Sequence, residues 1–423
     1  MPSPIEYKNL RILIDKKDHE GARGFLHRYE QNHPNDKEIT FLLAEVYNRL
    51  DNWHEAERYY KKTILLDPNY ILAYTNLEQI LRVQGRYKEC RSLLEEVRRL
   101  SPKLSKVIDS SIGMLDLSDG RLDVGFKKYE NRFEFNHMKV AYEKELFPRW
   151  KGKGSLKNKR ILLRYEQGLG DTLQFSRYAK TLKNLGARKI DILCKKPLHR
   201  ILETIPGVSK AIENPLETYD FEVMMMSMPS ILNTTQDSDI PGKPYLKVKD
   251  EDSKRWLEIM KPNGKLRVGI VWSGELKKGL NSWEAERMNQ HRSIPLEKWR
   301  PILDVECEFY SLQKGEMQKS LENFYAAHPI KDCMNGVKDF YDTACIVDNL
   351  DLVISVDTSM AHLVGALGKP IWMLSRLDAD WRWMSPRTDT PWYPSMKIYC
   401  QEVFVNWSPV IEKVSQDLRK ELQ

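Results

Sequence analysis

Along the first third of the chain, apolar residues recur at spacings of three and four, and the pattern itself repeats. The segments "FLHRYEQNHP", "YYKKTILLDP" and "SLLEEVRRLSP" each read as the end of an amphipathic helix stopped by proline, and Pro34, Pro68 and Pro102 stand 34 residues apart. At the same period Ala22, Ala56 and Cys90 are small, Phe25, Tyr59 and Leu93 are large, and Asp51 and Gly85 fall where turns are needed. This predicts a pair of antiparallel helices per repeat, with the small residue allowing close approach and the large one filling the groove. About three such units fit in residues 1–136; the last, "SSIGMLDLSDGRLDVGFKKYENRF", has Gly120 one step out of register. Stacked repeats present a concave surface suited to peptide or protein, so a polypeptide partner is implied.

After a Gly- and Lys-rich linker over 137–160, containing "FPRWKGKGSLKNK", the periodicity changes. Short apolar runs now alternate with helical patterns: strand "RILLRYE", helix "TLQFSRYAKTLKNLG" ended by Gly186, strand "KIDILC", helix "KPLHRILETIPGV" and strand "FEVMMMS" fill residues 161–248. A connecting segment over 249–264 leads to a second series, residues 265–400, running from "LRVGIVWSG" through "CEFYSLQKG", "DFYDTACIVDNL", "DLVISVD" and "TSMAHLVGALG" to "KPIWMLS". Residues 401–423 read as a closing helix. Strands alternating with helices predict parallel sheets, and two such units leave a cleft at the carboxyl ends of their strands.

Composition narrows the function classes. With 41% hydrophobic residues in 423, each domain can bury a core. The 67 Lys and Arg against 60 Asp and Glu are dispersed, so charge does not point to nucleic acid or a membrane surface, while small anions remain compatible. Six cysteines without a C-x-x-C pair suggest core thiols, neither a zinc cluster nor a disulfide framework. The opening "MPSPIEYKNLRILIDKKDHE" lacks the pattern of a secretory signal, and no run is apolar enough to span a membrane, so the expectation is a cytoplasmic protein.

Candidate chemistry falls at the strand ends. In "LDLVISVDTSMAHLVGALGKP" a strand stops at Asp357, and Thr358 with Ser359 opens a helix that carries His362 one turn in; backbone N–H groups and hydroxyls there suit a diphosphate, although ordinary N-capping has the same signature. Arg292 in "NQHRSIPLEKW" stands before a helix start and offers a fork for phosphate oxygens, or a solvated surface charge. Gln313 and Lys314 in "SLQKGE" follow a strand at the cleft rim. In "LRYEQGLGDTLQFSRY", Gln167, Gly168 and Gly170 let backbone approach a ligand, and Asp171 is either a first-turn helix residue or a general base at the cleft mouth. Trp381, Trp383 and Trp392 either line the cleft or belong to the core.

These residues carry a family resemblance. The stretches "GRLDVGFKKYENRF", "RILLRYEQGLGDTLQFSRYAKTL", "VGIVWSG", "RSIPL", "SLQKG", "DFYDTACIVDNLDLVISVDTSMAHLVGALGKPIW" and "DWRWM…PWYPSMKIY", in order over most of 118–400, resemble bacterial proteins that join tetratricopeptide repeats to a glycosyltransferase domain related to the ADP-heptose heptosyltransferases, and more distantly the protein O-GlcNAc transferases. The resemblance implies an α plus α/β chain, helical repeats followed by a GT-B domain of two Rossmann-like halves, the first facing the acceptor and the second holding the nucleotide-sugar. It implies Asp171 as catalytic base, Arg292 on phosphate, and Asp357, Thr358, Ser359 and His362 around the diphosphate, with Ser359 replacing the family's glycine. No metal or other cofactor is implied. The expected activity is inverting, metal-independent glycosyl transfer to an acceptor recruited by the repeats, a protein such as flagellin by analogy. The alternatives are an inactive repeat scaffold that binds peptide, and a heptosyltransferase-like enzyme acting on a glycan or lipid. The polar segment 275–290, "ELKKGLNSWEAERMNQ", departs from the family pattern.

Overall fold

The computed structural model describes residues 18–422 apart from 143, 276–282, 323, 325–328 and 385. The chain forms two compact units, the first ending at Leu115.

The first unit realises the repeat. Helices start at His19, Trp53 and Lys37, Ile71, then at Tyr87 and Ser105, so that each pair begins 34 residues after its predecessor. Asp18, Asp36 and Asn52 cap three of these helices with side-chain oxygens on first-turn N–H groups. Each of Pro34, Pro68 and Pro102 lies just past a helix end. Asp51 and Gly85 both hold the left-handed conformation, φ 57° and 71°, where one helix turns back on the next. Ala22, Ala56 and Cys90 are fully buried, and the large residues pack beside them in one continuous core. The first compact unit ends at Leu115, short of the expected repeat boundary at 136. Helix Leu122–Tyr129 belongs to the second unit, where Phe126 meets Trp381 and Trp392 edge-on, with ring centres 6.0 and 6.5 Å apart.

The second unit contains two parallel sheets. In the first half β1 (Arg160–Arg164), β2 (Lys189–Leu193), β3 (Lys210–Ile212) and β4 (Phe221–Met224) lie in the order β3-β2-β1-β4. In the second half β5 (Arg267–Val271), β6 (Glu308–Ser311), β7 (Ile330–Asp332), β8 (Leu352–Val356), β9 (Ile371–Ser375) and β10 (Met396–Cys400) lie in the order β10-β9-β8-β5-β6-β7. Every pairing is parallel, as Leu163 beside Val223 and Ile270 beside Ile354 illustrate. Strands covered on both faces read as unbroken apolar runs, which explains "RILLR" and "LVISV". Both orders are those of doubly wound Rossmann-type sheets, reversing between β1 and β4 and between β5 and β8. Two expected linkers contain helices: Asn136–Tyr142, and Asp250–Met260 with three acidic residues in its first turn. The closing helix spans Ser408–Glu421.

The halves meet where helix Leu169–Phe175 crosses helix Ser359–Leu367. Gly170 makes this possible, since a Cβ there would fall 2.7 Å from His362 Cδ2 and 3.5 Å from Ser359 Cα.

Candidate functional site

Between the carboxyl ends of β1, β5 and β8 lies a cavity of about 760 Å³. It gathers Gly168, Gly170, Asp171, Arg292, Gln313, Lys314, Asp357, Thr358, Ser359 and His362 from both halves of the domain. Gln167 stands outside the lining, donating from Nε2 to the Tyr129 hydroxyl at 3.2 Å.

Each residue arrives by a local cause. Strand β8 ends at Val356, and Thr358 takes extended backbone and caps the following helix, its Oγ1 accepting from Met360 N at 3.3 Å. Asp357, half-buried at the cavity wall, accepts from Trp383 Nε1 at 2.9 Å; desolvation pushes its carboxyl above the ordinary range. Asp171 is the third residue of its helix and Oδ2 accepts from Gly168 N at 2.7 Å, as a capping residue does. Its other oxygen, Oδ1, accepts from Arg382 Nη2 at 2.5 Å. Asp171 therefore caps its helix and also lines the cavity.

Arg292 lies against Gly274, where a Cβ would sit 2.2 Å from Nη2. Nε and Nη2 both donate to Asn289 Oδ1, at 3.0 and 2.8 Å, and burial lowers the Arg292 pKa. Lys314 donates from Nζ to the Val337 carbonyl at 3.1 Å. Gln313 lines the cavity, and its amide also bonds to backbone: Oε1 accepts from Trp272 N and Ser273 N, and Nε2 donates to Lys314 O. It braces the ends of β5 and β6, because unpaired N–H groups at a buried strand end need an acceptor.

The cavity wall carries five cations, Arg292, Lys314, Lys338, Arg376 and Arg382, and five acids, Asp171, Glu275, Asp339, Asp357 and Asp380. Arg382 donates to both Asp171 and Asp380. Burial pushes the Asp380 carboxyl up, but the neighbouring Arg382 outweighs it and the net shift is downward. Asp339 pairs with Arg200, on helix His199–Leu202 of the first half. Arg292 and Lys314 differ from these, since their hydrogen-bond partners are neutral oxygens.

His362 is buried. Burial and, after it, Arg382 drive its pKa down to about 3, so the ring is neutral at physiological pH. Its Nδ1 lies 3.0 Å from the Tyr393 hydroxyl and its ring stacks on Trp383. Trp381 and Trp392 are core residues, packed on Phe175, whereas Trp383 lines the cavity. Arg382 and Tyr393 escaped the sequence reading. The "DWRWM…PWYP" stretch, where arginine lies between two tryptophans and tyrosine follows a third, carried the signal.

Of the polar segment 275–290, residues 276–282 lie outside the described residues, as do residues 1–17 of the repeat region. Among the described residues no three His, Cys, Asp or Glu side chains gather as metal ligands would, and no helix is long and apolar enough to cross a membrane.

No family model matches the chain. It is similar to protein FlbA of Caulobacter vibrioides, 24% identical over 465 residues that cover 94% of this chain and 75% of FlbA. Among solved structures it is similar to a glycosyl transferase family 9 protein from Veillonella parvula, at TM-score 0.47 and 11% identity, over 64% of this chain and 99% of that one. It is also similar to the ADP-heptose LPS heptosyltransferase II of E. coli, at TM-score 0.45 and 13% identity, over 62% and 97% of the two chains.

Proposed function

We propose that the second unit transfers a glycosyl group from a nucleoside-diphosphate sugar to an acceptor hydroxyl, with inversion and without a metal, and that the repeats hold a polypeptide acceptor, flagellin being the one the analogy names. The observation that carries this reading is the pair of cations Arg292 and Lys314, bonded to neutral oxygens in a cavity shared with the helix start at Thr358. Cations that face a shared cavity favour an anion there, and a diphosphate supplies one. In the reaction the acceptor oxygen attacks the anomeric carbon, its proton passes to the Asp171 carboxylate, and the bond from that carbon to the diphosphate oxygen breaks. Arg292, Lys314 and the helix N-terminus then meet the charge growing on the leaving diphosphate.

A thermal-shift screen against UDP-, GDP-, ADP-, dTDP- and CMP-sugars, with free nucleotides as controls, tests the donor site. Stabilisation by one nucleotide class, lost in Arg292→Ala, is expected; a ligand at about 100 times its Kd adds about 2.7 kcal/mol. A shift with none of them removes the reading. One observation favours a second reading, a binding protein without transfer: both Asp171 oxygens are already hydrogen-bonded. Asp171→Asn separates the two, since transfer disappears while nucleotide binding persists only under the first.

A further inference from the structure

The second unit buries an arginine beside Tyr393. Arg177 is enclosed by three rings, its Cζ lying 4.7 Å from the centre of Tyr393, 5.0 Å from Tyr245 and 5.2 Å from Trp392. Its Nε donates to the Gln174 carbonyl and its Nη1 to those of Pro241 and Trp392, while Nη2 has no hydrogen-bond partner. No carboxylate is among its partners, so the charge is balanced by carbonyls, ring faces and the tyrosine hydroxyls beside it.

A guanidinium can only donate. Hydroxyls next to it are stabilised with their oxygens toward the charge and their protons away. Tyr245 has this polarity, since its hydroxyl donates to the Leu173 carbonyl at 2.6 Å. The Tyr393 hydroxyl has His362 Nδ1 at 3.0 Å, and the Tyr245 hydroxyl also lies beside it. Tyr393 is itself locked, because a Cβ on Gly365 would fall 2.4 Å from its ring. The opposite edge of the imidazole, Cδ2 and Nε2, faces Gly170, and both residues line the cavity.

We propose that Arg177, acting through Tyr393, fixes His362 as the neutral tautomer with its proton on Nε2, so that the cleft is offered a permanent uncharged hydrogen-bond donor. The other tautomer would aim a lone pair at any anion in the cavity. The charged groups facing His362 are Arg382, Asp380 and Arg177, and burial with two of these three being cations keeps the ring from gaining a second proton. Arg177 and Tyr393 are thus positioning residues. The use of the donor rests on the diphosphate reading; the tautomer does not.

The test uses the full chain labelled with ¹⁵N-histidine, with the His362 resonances identified by their loss in His362→Gln. Long-range proton–nitrogen correlation at neutral pH is expected to show Nε2 protonated and Nδ1 as the imine nitrogen. In Tyr393→Phe the two tautomers mix, and affinity for free ADP or UDP, whichever binds the parent chain, falls about fivefold, as loss of one positioned hydrogen bond predicts. Arg177→Met, where it folds, mixes the tautomers and Arg177→Lys retains the parent form. An Nδ1-protonated ring in the parent chain, or an unchanged tautomer in Tyr393→Phe, overturns the inference. If neither nucleotide binds the parent chain the transferase reading fails, and the tautomer spectra still decide this one.

Discussion

Lowering the pH should destabilise the α/β unit through His362 in a way its glutamine variant escapes. The folded ring has a pKa of about 3, because it is buried and faces Arg382, against 6.5 for the free side chain. Between those values the unfolded chain binds the proton and the folded chain does not, so stability rises with pH. The contribution is complete above about pH 6.5 and is lost as the pH falls toward 3. At about pH 4.5 the unfolded imidazole is almost fully protonated while the folded one remains neutral, a loss of about 2.5 kcal/mol relative to pH 7. Urea unfolding followed by tryptophan fluorescence, at both pH values, for the parent chain and His362→Gln, gives the difference of differences. Carboxylate effects are common to both proteins and cancel. The parent chain should lose about 2.5 kcal/mol more than the variant. Parallel losses would refute the placement of a neutral imidazole in a buried, cation-facing site.

Three further outcomes follow from other contacts. Gly170→Ala places a Cβ 2.7 Å from a ring held by Tyr393 and Trp383; thermal unfolding should show a loss of about 1–3 kcal/mol, accompanied by weakened nucleotide binding. Asp417 accepts from Lys397, Lys413, Lys420 and Tyr399, and these hold its carboxyl well below the usual range; its stabilising contribution is present above about pH 4 and lost on acidification, and Asp417→Asn should flatten the acid limb of the stability curve. Burial raises the Cys90 thiol to about 12, so a thiol reagent at about pH 8 should label it only when the repeats unfold, which mass spectrometry of the native and denatured chain will show.

The repeats were legible because their signal is local. A helix pair, its cap and its turn lie within one period, so Ala22, Ala56 and Cys90 and the prolines announce the packing before any fold is known. The same holds for the Asp357, Thr358, Ser359 turn, where strand end and helix cap are adjacent residues. The packing of Phe126 was hidden, because it meets Trp381 and Trp392, rings from the far end of the chain. The bracing by Gln313 was hidden too, since its amide answers two N–H groups some forty residues earlier.

By itself, then, the amino-acid order determined the helical period, the alternation of strand and helix, and which polar residues stand at strand ends. Those are consequences of backbone periodicity and capping, which act over a few residues. Only the tertiary structure decided which of those residues share a cavity, that Asp171 meets an arginine 211 positions away, and that His362 is buried, neutral and held by Tyr393. Hydrogen-bond polarity and desolvation depend on what surrounds a group in three dimensions, and chain packing brings those surroundings together from both halves of the domain.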